Sequence, residues 1–383
     1  MEYRIERNQD GLKKRPIIGI LVSGLPPTTI GGAEIAAYNI ATHLAARNLE
    51  VHVITRNDTI RINGKKRALK RHESVNGFVI HRIFCSKVPI FRFVTHLIFG
   101  IRETIHLKPD IIHGQQISPN GLIAVLSGTI LRKKTLVYAR GSEIYNSSAL
   151  FLRSIAQFVV LRADIVLGVS SDLSMRMKRL WPQIPIFSLP NGLDLPKYFH
   201  DYAPKPTLEL IFIGRLIKNK RALDAIKAVA HCKDHSPKLV LTIIGSGPQE
   251  NFLKKESKLL GVKDYVRFLG KVSPEKVPKF LSKADIFVLP SLWEGFSLAI
   301  LEAMASGLPI LASRTTTILE LVQDHLNGLL HSPGNAGELT QNLQILLQNE
   351  ELRMIMGQKS REIAERFSWE NVIIKLLHYY FRH

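Results

Sequence analysis

The chain has 383 residues, 45% of them hydrophobic, and a formal net charge of +20. This length exceeds one ordinary core and this composition excludes a disordered protein, so we expect two globular domains. Cys85 and Cys232 are the only cysteines, which argues against a disulfide framework or a zinc site and favours a reducing compartment. We expect no secretory signal at the charged N-terminus, and no apolar run reaches the roughly 18 residues of a membrane-spanning helix.

Strand-like apolar runs alternate with helix-length segments along the chain, which is typical of βαβ units. Several runs are continuously apolar, as parallel strands covered on both faces are. The predicted strands are Ile17–Ser23, Val51–Arg56, Phe78–Ile83, Asp110–Gln115, Thr135–Gly141, Asp164–Ser170, Ile184–Pro190, Leu208–Arg215, Leu239–Gly245, Val266–Gly270, Asp285–Pro290 and Pro309–Ser313. With a linker at Asn191–Thr207, the sequence predicts an α/β protein with two doubly wound domains.

Positive charge is concentrated in the first half, where residues 1–190 carry +15 and residues 191–383 carry +5. Such a half suits a polyanionic partner: nucleic acid, an anionic membrane surface or a phosphate-bearing ligand. The basic run Lys65–Arg67, followed by Lys70–His72, is predicted to be a solvated loop. The apolar segment Val88–Arg102 is most simply an ordinary helix packed on the sheet, or alternatively a surface that docks on an anionic bilayer.

Glycines and cations follow three of the predicted strands. Gly31–Gly32 would allow a phosphate to approach the backbone at a helix N-terminus, or would form an unliganded turn. Arg215 and Lys220 lie in a basic segment that could neutralise a diphosphate, or that could be a plain basic loop. Gly245 opens a turn that lacks the third glycine and the acidic partner of a dinucleotide fingerprint. No Walker-type loop occurs, so a dehydrogenase and a P-loop NTPase are both disfavoured.

The segment Ser291–Glu302 is the most informative part of the sequence. It follows the predicted strand Asp285–Pro290 and should place Glu294 in a loop and Glu302 on a helix. Ligands of open α/β sheets bind just outside the carboxyl ends of the strands. If residues 294–302 were helical they would span about 12 Å, which is too far for a shared-proton pair but suits the two ends of a nucleotide sugar. Two solvated glutamates on an amphipathic helix are the alternative.

Together these motifs resemble the retaining glycosyltransferases of family 4, the glycosyl transferases group 1, over nearly the whole chain. The matching motifs are Gly31-Gly32-Ala33-Glu34, Pro190-Asn191-Gly192-Leu193-Asp194, Gly214-Arg215 through Lys220, Gly245-Ser246-Gly247-Pro248, and Glu294 with Glu302. The resemblance implies the GT-B architecture, with two facing Rossmann-like doubly wound domains and a cleft between them. It implies an acceptor-binding domain at residues 1–190, a nucleotide-sugar-binding domain at 191–368, and a C-terminal helix at 369–383 that crosses back to the first domain.

The same resemblance implies an activity and a set of site residues. The protein would transfer a sugar, with retention, from a UDP- or GDP-sugar to a glycan or lipid-linked acceptor in polysaccharide or glycolipid synthesis. No cofactor and no metal are expected, and the location would be cytoplasmic, at the inner face of the cell membrane. The implied catalytic residues are Glu294, Arg215 and Lys220. The implied donor-binding residues are Gly31, Gly32, Arg215, Lys220, Gly245, Glu294, Gly295, Phe296, Ser297, Leu298 and Glu302. The candidate acceptor or sugar contacts are His113, Arg140, Glu143 and Asn191.

One departure from the family pattern leaves alternatives open. Arg140 and Glu143 stand where many members carry the His and Asp of a His-Gly-x-Asp motif, so the sugar contact at this point should differ. The alternatives are a soluble transferase for a small sugar or sugar phosphate, and a non-catalytic relative that binds sugar nucleotides. A nucleic-acid-binding protein would explain the charge, but no recognition motif is present, so no nucleic-acid partner is expected.

Overall fold

The computed structural model describes residues 15–28, 31–62, 65–141, 144, 150–199, 207–234 and 239–382. Residue contacts divide the chain into two compact units, Met1–Gly192 with Trp369–His383, and Leu193–Ser368. Each unit has its own sheet of mainly parallel strands, so the predicted α/β class is confirmed.

The first unit contains ten described strands. They are β1 Ile17–Leu21, β2 Glu50–Arg56, β3 Thr59–Ile62, β4 Lys65–Ala68, β5 His72–Val75, β6 Phe78–Ile83, β7 Ile111–Gln115, β8 Lys134–Ala139, β9 Ile165–Gly168 and β10 Ile186–Ser188. Eight of them form one sheet in the order β10-β9-β8-β7-β1-β2-β6-β5, while β3 and β4 pair separately. All pairs in the large sheet are parallel except β5 with β6. β7 and β9 are wholly buried and β1 is buried except at Ile17, which explains their largely apolar sequences.

The helices of this unit are α1 Gly32–Ala45, α2 Pro89–Leu107, α3 Leu122–Leu131, α4 Leu150–Arg162 and α5 Ser171–Leu180, with a π-helical turn at Ile117–Gly121. Local chemistry sets their ends. A proline opens α2, where its fixed φ suits the first helical turn. The Ser170 hydroxyl caps α5 by accepting from the Leu173 N–H at 3.2 Å.

The second unit is built on β11 Leu208–Ile213, β12 Leu239–Ile244, β13 Val266–Gly270, β14 Ile286–Leu289, β15 Ile310–Ser313 and β16 Gly328–His331. These strands form a parallel sheet in the order β13-β12-β11-β14-β15-β16. The helices are α6 Ala222–Cys232, α7 Glu250–Leu259, α8 Val277–Leu281, α9 Leu298–Ala305, α10 Ala336–Gln348 and α11 Glu350–Ala364. Because the strands are parallel, their carboxyl ends share one edge of the sheet, and the loops that follow β11, β12 and β14 meet there.

The last described helix, α12 Trp369–Phe381, is part of the first unit although it follows the second in sequence. Six of its side chains are buried. The Tyr380 hydroxyl lies 2.6 Å from Nδ1 of His113, and the Tyr380 carbonyl accepts from the Lys134 ammonium at 2.9 Å. The core of the first unit therefore includes residues separated from it by the whole second unit.

The basic run Lys65–Arg67 corrects one prediction. It was expected to be a solvated loop, but it lies in β4, which pairs antiparallel with β3, and His72 begins β5. Backbone hydrogen bonds in a short hairpin need no apolar side chains, and charged residues are common on strands at a sheet edge. A strand that consists largely of three cations therefore cannot be predicted from an apolar sequence pattern. The strand β16 was also not predicted.

The helix α2 confirms only part of the prediction that its apolar residues pack on the sheet. Leu97, Phe99 and Ile101 pack against the buried core of the first unit. Phe91 and Ile98, however, lie on the outer face and are 60% and 56% exposed. The helix is apolar on both faces, so packing explains only one of them. Across the described part of the chain, no helix combines the length and the apolar character that crossing a membrane would require.

Candidate functional site

The carboxyl edge of the second sheet brings together most of the predicted site residues. Arg215 follows β11 and is exposed, Gly245 follows β12, and Glu294 lies in the loop between β14 and α9. β12, β11 and β14 are neighbours in the sheet, so these three loops are adjacent. The edge therefore combines an exposed cation, a glycine turn and a carboxylate.

Lys220 and Glu294 form an ion pair at this edge, with 2.5 Å between Nζ and Oε1. The side chain of Lys220 is 19% exposed and that of Glu294 is 8% exposed. Solvent screens such a sheltered pair less than a surface pair, and the loss of one partner leaves the other charge sheltered and unpaired. Two residues that lie 74 positions apart in sequence are thus held as one unit.

The backbone around Glu294 is fixed from two sides. The Asn219 side-chain amide donates to the Trp293 carbonyl at 2.9 Å, and the Asn219 carbonyl accepts from the Leu292 N–H at 2.9 Å. The Thr317 hydroxyl donates to the Glu294 carbonyl at 2.9 Å. Asn219 stands next to Lys220, so one short segment carries the cation and also holds the carboxylate's loop. Sequence reasoning passed over Asn219 and Thr317, because neither is marked by a motif.

Two buried polar atoms near this loop have no hydrogen-bond partner among the described residues: the side-chain oxygens of Asn219 and Ser291. Buried polar atoms are nearly always satisfied by protein, water or ligand.

The glycine turn after β12 supports the loop that carries Arg215. Gly245 has φ +138°, and a Cβ at this position would lie 1.8 Å from the Gly214 carbonyl oxygen. A Cβ on Gly247 would lie 2.4 Å from the Leu216 carbonyl oxygen. The Leu216 N–H donates to the Ser246 carbonyl at 3.0 Å. Only glycine allows this contact between the two loops, so the structure gives Gly245 a supporting role beside its predicted donor contact.

The helix α9 begins directly after the Glu294 loop. Gly295 and Phe296 are half-buried in the loop, and Ser297 caps the helix by accepting from the Ile300 N–H at 3.4 Å. Leu298 is the first helical residue. The first N–H groups of a helix attract anions, which agrees with the donor contacts predicted for this segment. The helix starts at Leu298, so the predicted loop position of Glu294 and helical position of Glu302 are both confirmed.

Glu302 lies in the second turn of α9 and accepts a hydrogen bond from the Tyr198 hydroxyl at 3.0 Å. Burial raises the pKa of Glu302 to about 7, although the Tyr198 hydrogen bond acts in the opposite direction. Burial, together with the charge of Glu302, raises the pKa of Tyr198 well above its ordinary value. Glu302 therefore titrates near neutral pH. Sequence reasoning missed Tyr198, which lies in the predicted linker.

The predicted residues of the first unit occupy two places. Gly31 precedes α1 in an extended conformation and Gly32 is its first residue, so both lie at a helix N-terminus, as predicted. His113 is the buried middle residue of β7 and not a strand-end residue, while Arg140 and Asn191 follow β8 and β10. Glu143 lies outside the described residues.

Arg140 is the centre of a polar network in the first unit. Its guanidinium donates to the Gln115 side-chain oxygen at 3.0 Å through Nε and to the Asn191 side-chain oxygen at 2.6 Å through Nη1. It also stacks 3.8 Å from the centroid of the Tyr138 ring. Arg140 thus ties the end of β7 to the segments that follow β8 and β10.

His113 is fully buried beside this network. Its Nε2 lies 3.2 Å from the Gln115 amide nitrogen, which donates, so Nδ1 carries the proton and donates to the Tyr380 hydroxyl. Burial, with a smaller effect from the Arg140 charge, lowers the pKa of His113 to about 3. The ring is neutral and internally satisfied, which is the behaviour of a structural histidine.

The geometry agrees with comparisons against known proteins. The profile of the family described as Glycosyltransferase Family 4 matches residues 30–197, and that of Glycosyl transferases group 1 matches residues 199–363. N-acetyl-alpha-D-glucosaminyl L-malate synthase of Bacillus anthracis is 30% identical over 69% of this chain and 72% of its own length. A GDP-mannose-dependent alpha-(1-6)-phosphatidylinositol monomannoside mannosyltransferase of Mycobacterium tuberculosis is 25% identical over 68% and 72%.

Solved structures share the architecture. Anabaena HepE in complex with UDP-glucose superposes with a TM-score of 0.77 and 17% identity, covering 95% of this chain and 99% of that protein. At this identity the likeness shows the fold alone, which is two parallel-sheet α/β domains of the GT-B type.

Proposed function

The chain belongs to glycosyltransferase family 4, and from that premise we propose that it transfers a sugar from a nucleotide-sugar donor to a lipid-linked acceptor. The second unit would bind the donor and the first unit would bind the acceptor. One observation carries the proposal. At the carboxyl edge of the second sheet, an exposed arginine adjoins a sheltered Lys220–Glu294 pair, and Glu302 follows on the next helix. This edge is where open α/β sheets bind ligands.

The chemistry proposed for this edge follows from its charges. Departure of the nucleotide diphosphate builds negative charge on a phosphate oxygen, and fixed cations aimed at that oxygen lower the barrier. Arg215 would supply a planar fork of donors and Lys220 a point charge. Glu294 holds the Lys220 ammonium in place and would itself contact the transferred sugar. Glu302 would accept hydrogen bonds from the ribose hydroxyls.

The proposed reaction needs no metal ion and retains the configuration at the sugar. The bond from the anomeric carbon to the phosphate oxygen breaks while the acceptor oxygen bonds to that carbon from the same face. The acceptor's hydroxyl proton passes to the departing phosphate oxygen. Arg215 and Lys220 replace a divalent cation in neutralising the diphosphate. HepE is described with UDP-glucose and the mycobacterial relative as GDP-mannose-dependent, so both nucleotides are candidate donors.

The donor proposal is tested by thermal unfolding in the presence of UDP-, GDP-, ADP- and dTDP-sugars. A ligand at about 100 times its dissociation constant stabilises the fold by about 2.7 kcal/mol, which is readily measured. In a transfer assay with the donor so identified, Glu294→Gln and Lys220→Met should each reduce kcat at least about a hundredfold. Lys218→Met is the matched control, because Lys218 is an exposed lysine two residues away on the same turn. Equal activity of the Lys220 and Lys218 variants would refute the assignment.

The outer face of α2 supports the proposal of a lipid-linked acceptor. Phe91, Val94 and Ile98 repeat at helical spacing, and each is about half exposed or more. Arg92 and Arg102 are exposed on the same helix. Glu103 is the only acidic residue of α2, and it turns inward to pair with His81. An apolar face flanked by cations suits the surface of an anionic bilayer.

We propose that this face docks on anionic lipid and brings the first unit to its acceptor. The purified protein should sediment with phosphatidylglycerol vesicles at low salt. Ile98→Asp should weaken this partition at least tenfold, because burying such a side chain contributes about 1.5–3 kcal/mol. Ile345→Asp is the control, since Ile345 is an exposed isoleucine of the second unit. Unchanged sedimentation of the Ile98 variant would refute lipid docking and favour a small soluble acceptor.

A further inference from the structure

Three histidines and a glutamate meet at the edge of the first sheet, far in sequence from any motif of the transfer reaction. His72 on β5 and His81 on β6 are directly paired in the antiparallel register. His52 lies on β2, the neighbour of β6, and Glu103 lies on α2. Four separate elements thus contribute one side chain each.

The side chains are in direct contact. His81 Nδ1 lies 2.9 Å from a carboxylate oxygen of Glu103, and His81 Nε2 lies 2.8 Å from His52 Nδ1. His52 Nε2 lies 3.0 Å from a carboxylate oxygen of Glu50. The His72 ring meets the His81 ring edge to face, with 4.9 Å between centroids. One ligand atom from each of His72, His81 and Glu103 lies within 4.8 Å of the others.

The series of contacts that joins Glu50, His52, His81 and Glu103 has one hydrogen too few for every contact to be a hydrogen bond. Its three contacts join a carboxylate to a ring nitrogen, two ring nitrogens to each other, and a ring nitrogen to a second carboxylate. Each contact needs one shared hydrogen, so three are required. Two neutral imidazoles carry one N–H each and an ionised carboxylate carries none. One contact must therefore be completed by an additional positive charge, either a proton or a metal ion.

The geometry favours the metal ion, because His72 brings a third ligand atom within 4.8 Å of those of His81 and Glu103. A neutral imidazole is the form that ligates metals. Arg71 is the other cation near this carboxylate, but its side chain is 73% exposed and 3.9 Å from the second Glu103 oxygen. It does not occupy the gap between His81 and Glu103.

We propose that His72, His81 and Glu103 form a binding site for a divalent transition-metal ion of the zinc class. Two imidazoles and one carboxylate are a donor set that zinc accepts, with water completing the coordination. His81 would ligate through Nδ1, so its Nε2–H would donate to His52 Nδ1. His52 Nε2–H would then donate to Glu50, and all three contacts would be satisfied. Such outer partners fix the tautomer and orientation of a ligating histidine.

The site would join the edge of the sheet to α2, the helix whose outer face is proposed to meet lipid. It uses no residue of the Glu294 site and does not depend on the transfer reaction. The small number of cysteines excluded only zinc sites with cysteine ligands, because these histidines are brought together by strand pairing and not by local spacing.

The experiment is a titration of the full-length protein, without a histidine tag, with Zn²⁺ by calorimetry, and with Co²⁺ by its visible absorption. One equivalent should bind with micromolar affinity or tighter, and Co²⁺ should give the spectrum of a nitrogen- and oxygen-ligated site. His72→Gln and Glu103→Gln should each weaken binding at least about a hundredfold. His52→Gln should weaken it less, by about 10–100-fold, as loss of an outer partner does.

The control is His231→Gln, because His231 is an exposed histidine of the second unit, and it should bind as the unchanged protein does. His72 is itself exposed, so its variant should fold even if Glu103→Gln does not. Failure to bind one equivalent of Zn²⁺, or unchanged binding by His72→Gln, would overturn the proposal. An imidazolium in the cluster at neutral pH, detected by NMR without zinc binding, would show that a proton completes the series of contacts instead.

Discussion

The carboxyl group of Glu302 should make donor binding dependent on pH near neutrality. Its pKa is raised to about 7 by burial. If the ionised carboxylate accepts hydrogen bonds from the ribose, protonation removes part of that capacity, so affinity should fall as pH falls through about 7. With this pKa, about one molecule in eleven is ionised at pH 6 and about ten in eleven at pH 8. The affinity should therefore differ by up to about tenfold between these pH values, or up to about 1.4 kcal/mol.

The assay is calorimetric titration of the nucleotide sugar between pH 5.5 and 8.5. Glu302→Gln should bind more weakly and lose the pH dependence that belongs to this carboxyl. Any slope common to both proteins then arises elsewhere. Tyr198→Phe tests the direction of the effect. Its hydroxyl donates to Glu302 and lowers the pKa of that carboxyl, so its removal should shift the midpoint to higher pH. A slope that persists unchanged in Glu302→Gln, or a midpoint that moves downward in Tyr198→Phe, would refute the reasoning.

Three further predictions concern stability. Gly245→Ala should destabilise the second unit by about 3 kcal/mol or more, since its Cβ would strike the Gly214 carbonyl. Gly270→Ala is the control, because Gly270 has φ +66° but no atom lies within 4 Å of its added Cβ. In denaturant unfolding this variant should lose only about 1–2 kcal/mol of unfolding free energy. Equal losses of unfolding free energy in the two variants would contradict the steric argument. Truncation after Ser368 removes six buried side chains from the first unit. Hydrogen exchange should then show that the first unit is unfolded, while the backbone amides of the second unit remain protected. Protection of the amides of both units would contradict the prediction. Glu302→Gln should stabilise the unliganded protein at pH 8 and progressively less toward pH 4.5. The folded protein loses stability as pH increases through that interval, because the pKa of the Glu302 carboxyl is higher in the folded state than in the unfolded state. An equal change in the thermal unfolding temperature at pH 8 and at pH 4.5 would exclude this linkage.

The main strands could be predicted because buried strands require apolar residues, and these form recognisable runs in the sequence. Runs such as Leu239–Ile244 are apolar at every position, since parallel strands covered on both faces need apolar residues throughout. Lys65–Ala68 has no such pattern, because its pairing with β3 rests on backbone hydrogen bonds. The sequence of this short strand therefore predicts a loop, although the backbone pairs with β3. The strand β16 is not predictable for a related reason, because its sequence Gly-Leu-Leu-His contains only two consecutive apolar residues.

The candidate site was likewise predictable only in part. Glu294 and Lys220 lie in local motifs, so their sequence context identifies them, and the structure adds that they form an ion pair. The pairing of Tyr198 with Glu302 joins residues 104 positions apart, and no local pattern could have shown it. The assembly of His52, His72 and His81 depends on which strands become neighbours. Sequence reasoning thus identified residues of the site but not their partners.

The position of α12 has a consequence for biosynthesis. Residues 369–381 leave the ribosome only after the whole of Leu193–Ser368 has been made, yet their six buried side chains complete the core of the unit that began the chain. During translation, the second unit can therefore fold while the first still exposes the surface that α12 will cover, including His113 without Tyr380. The nascent first unit would be a natural client for chaperones, and its maturation time would be set by synthesis of the second.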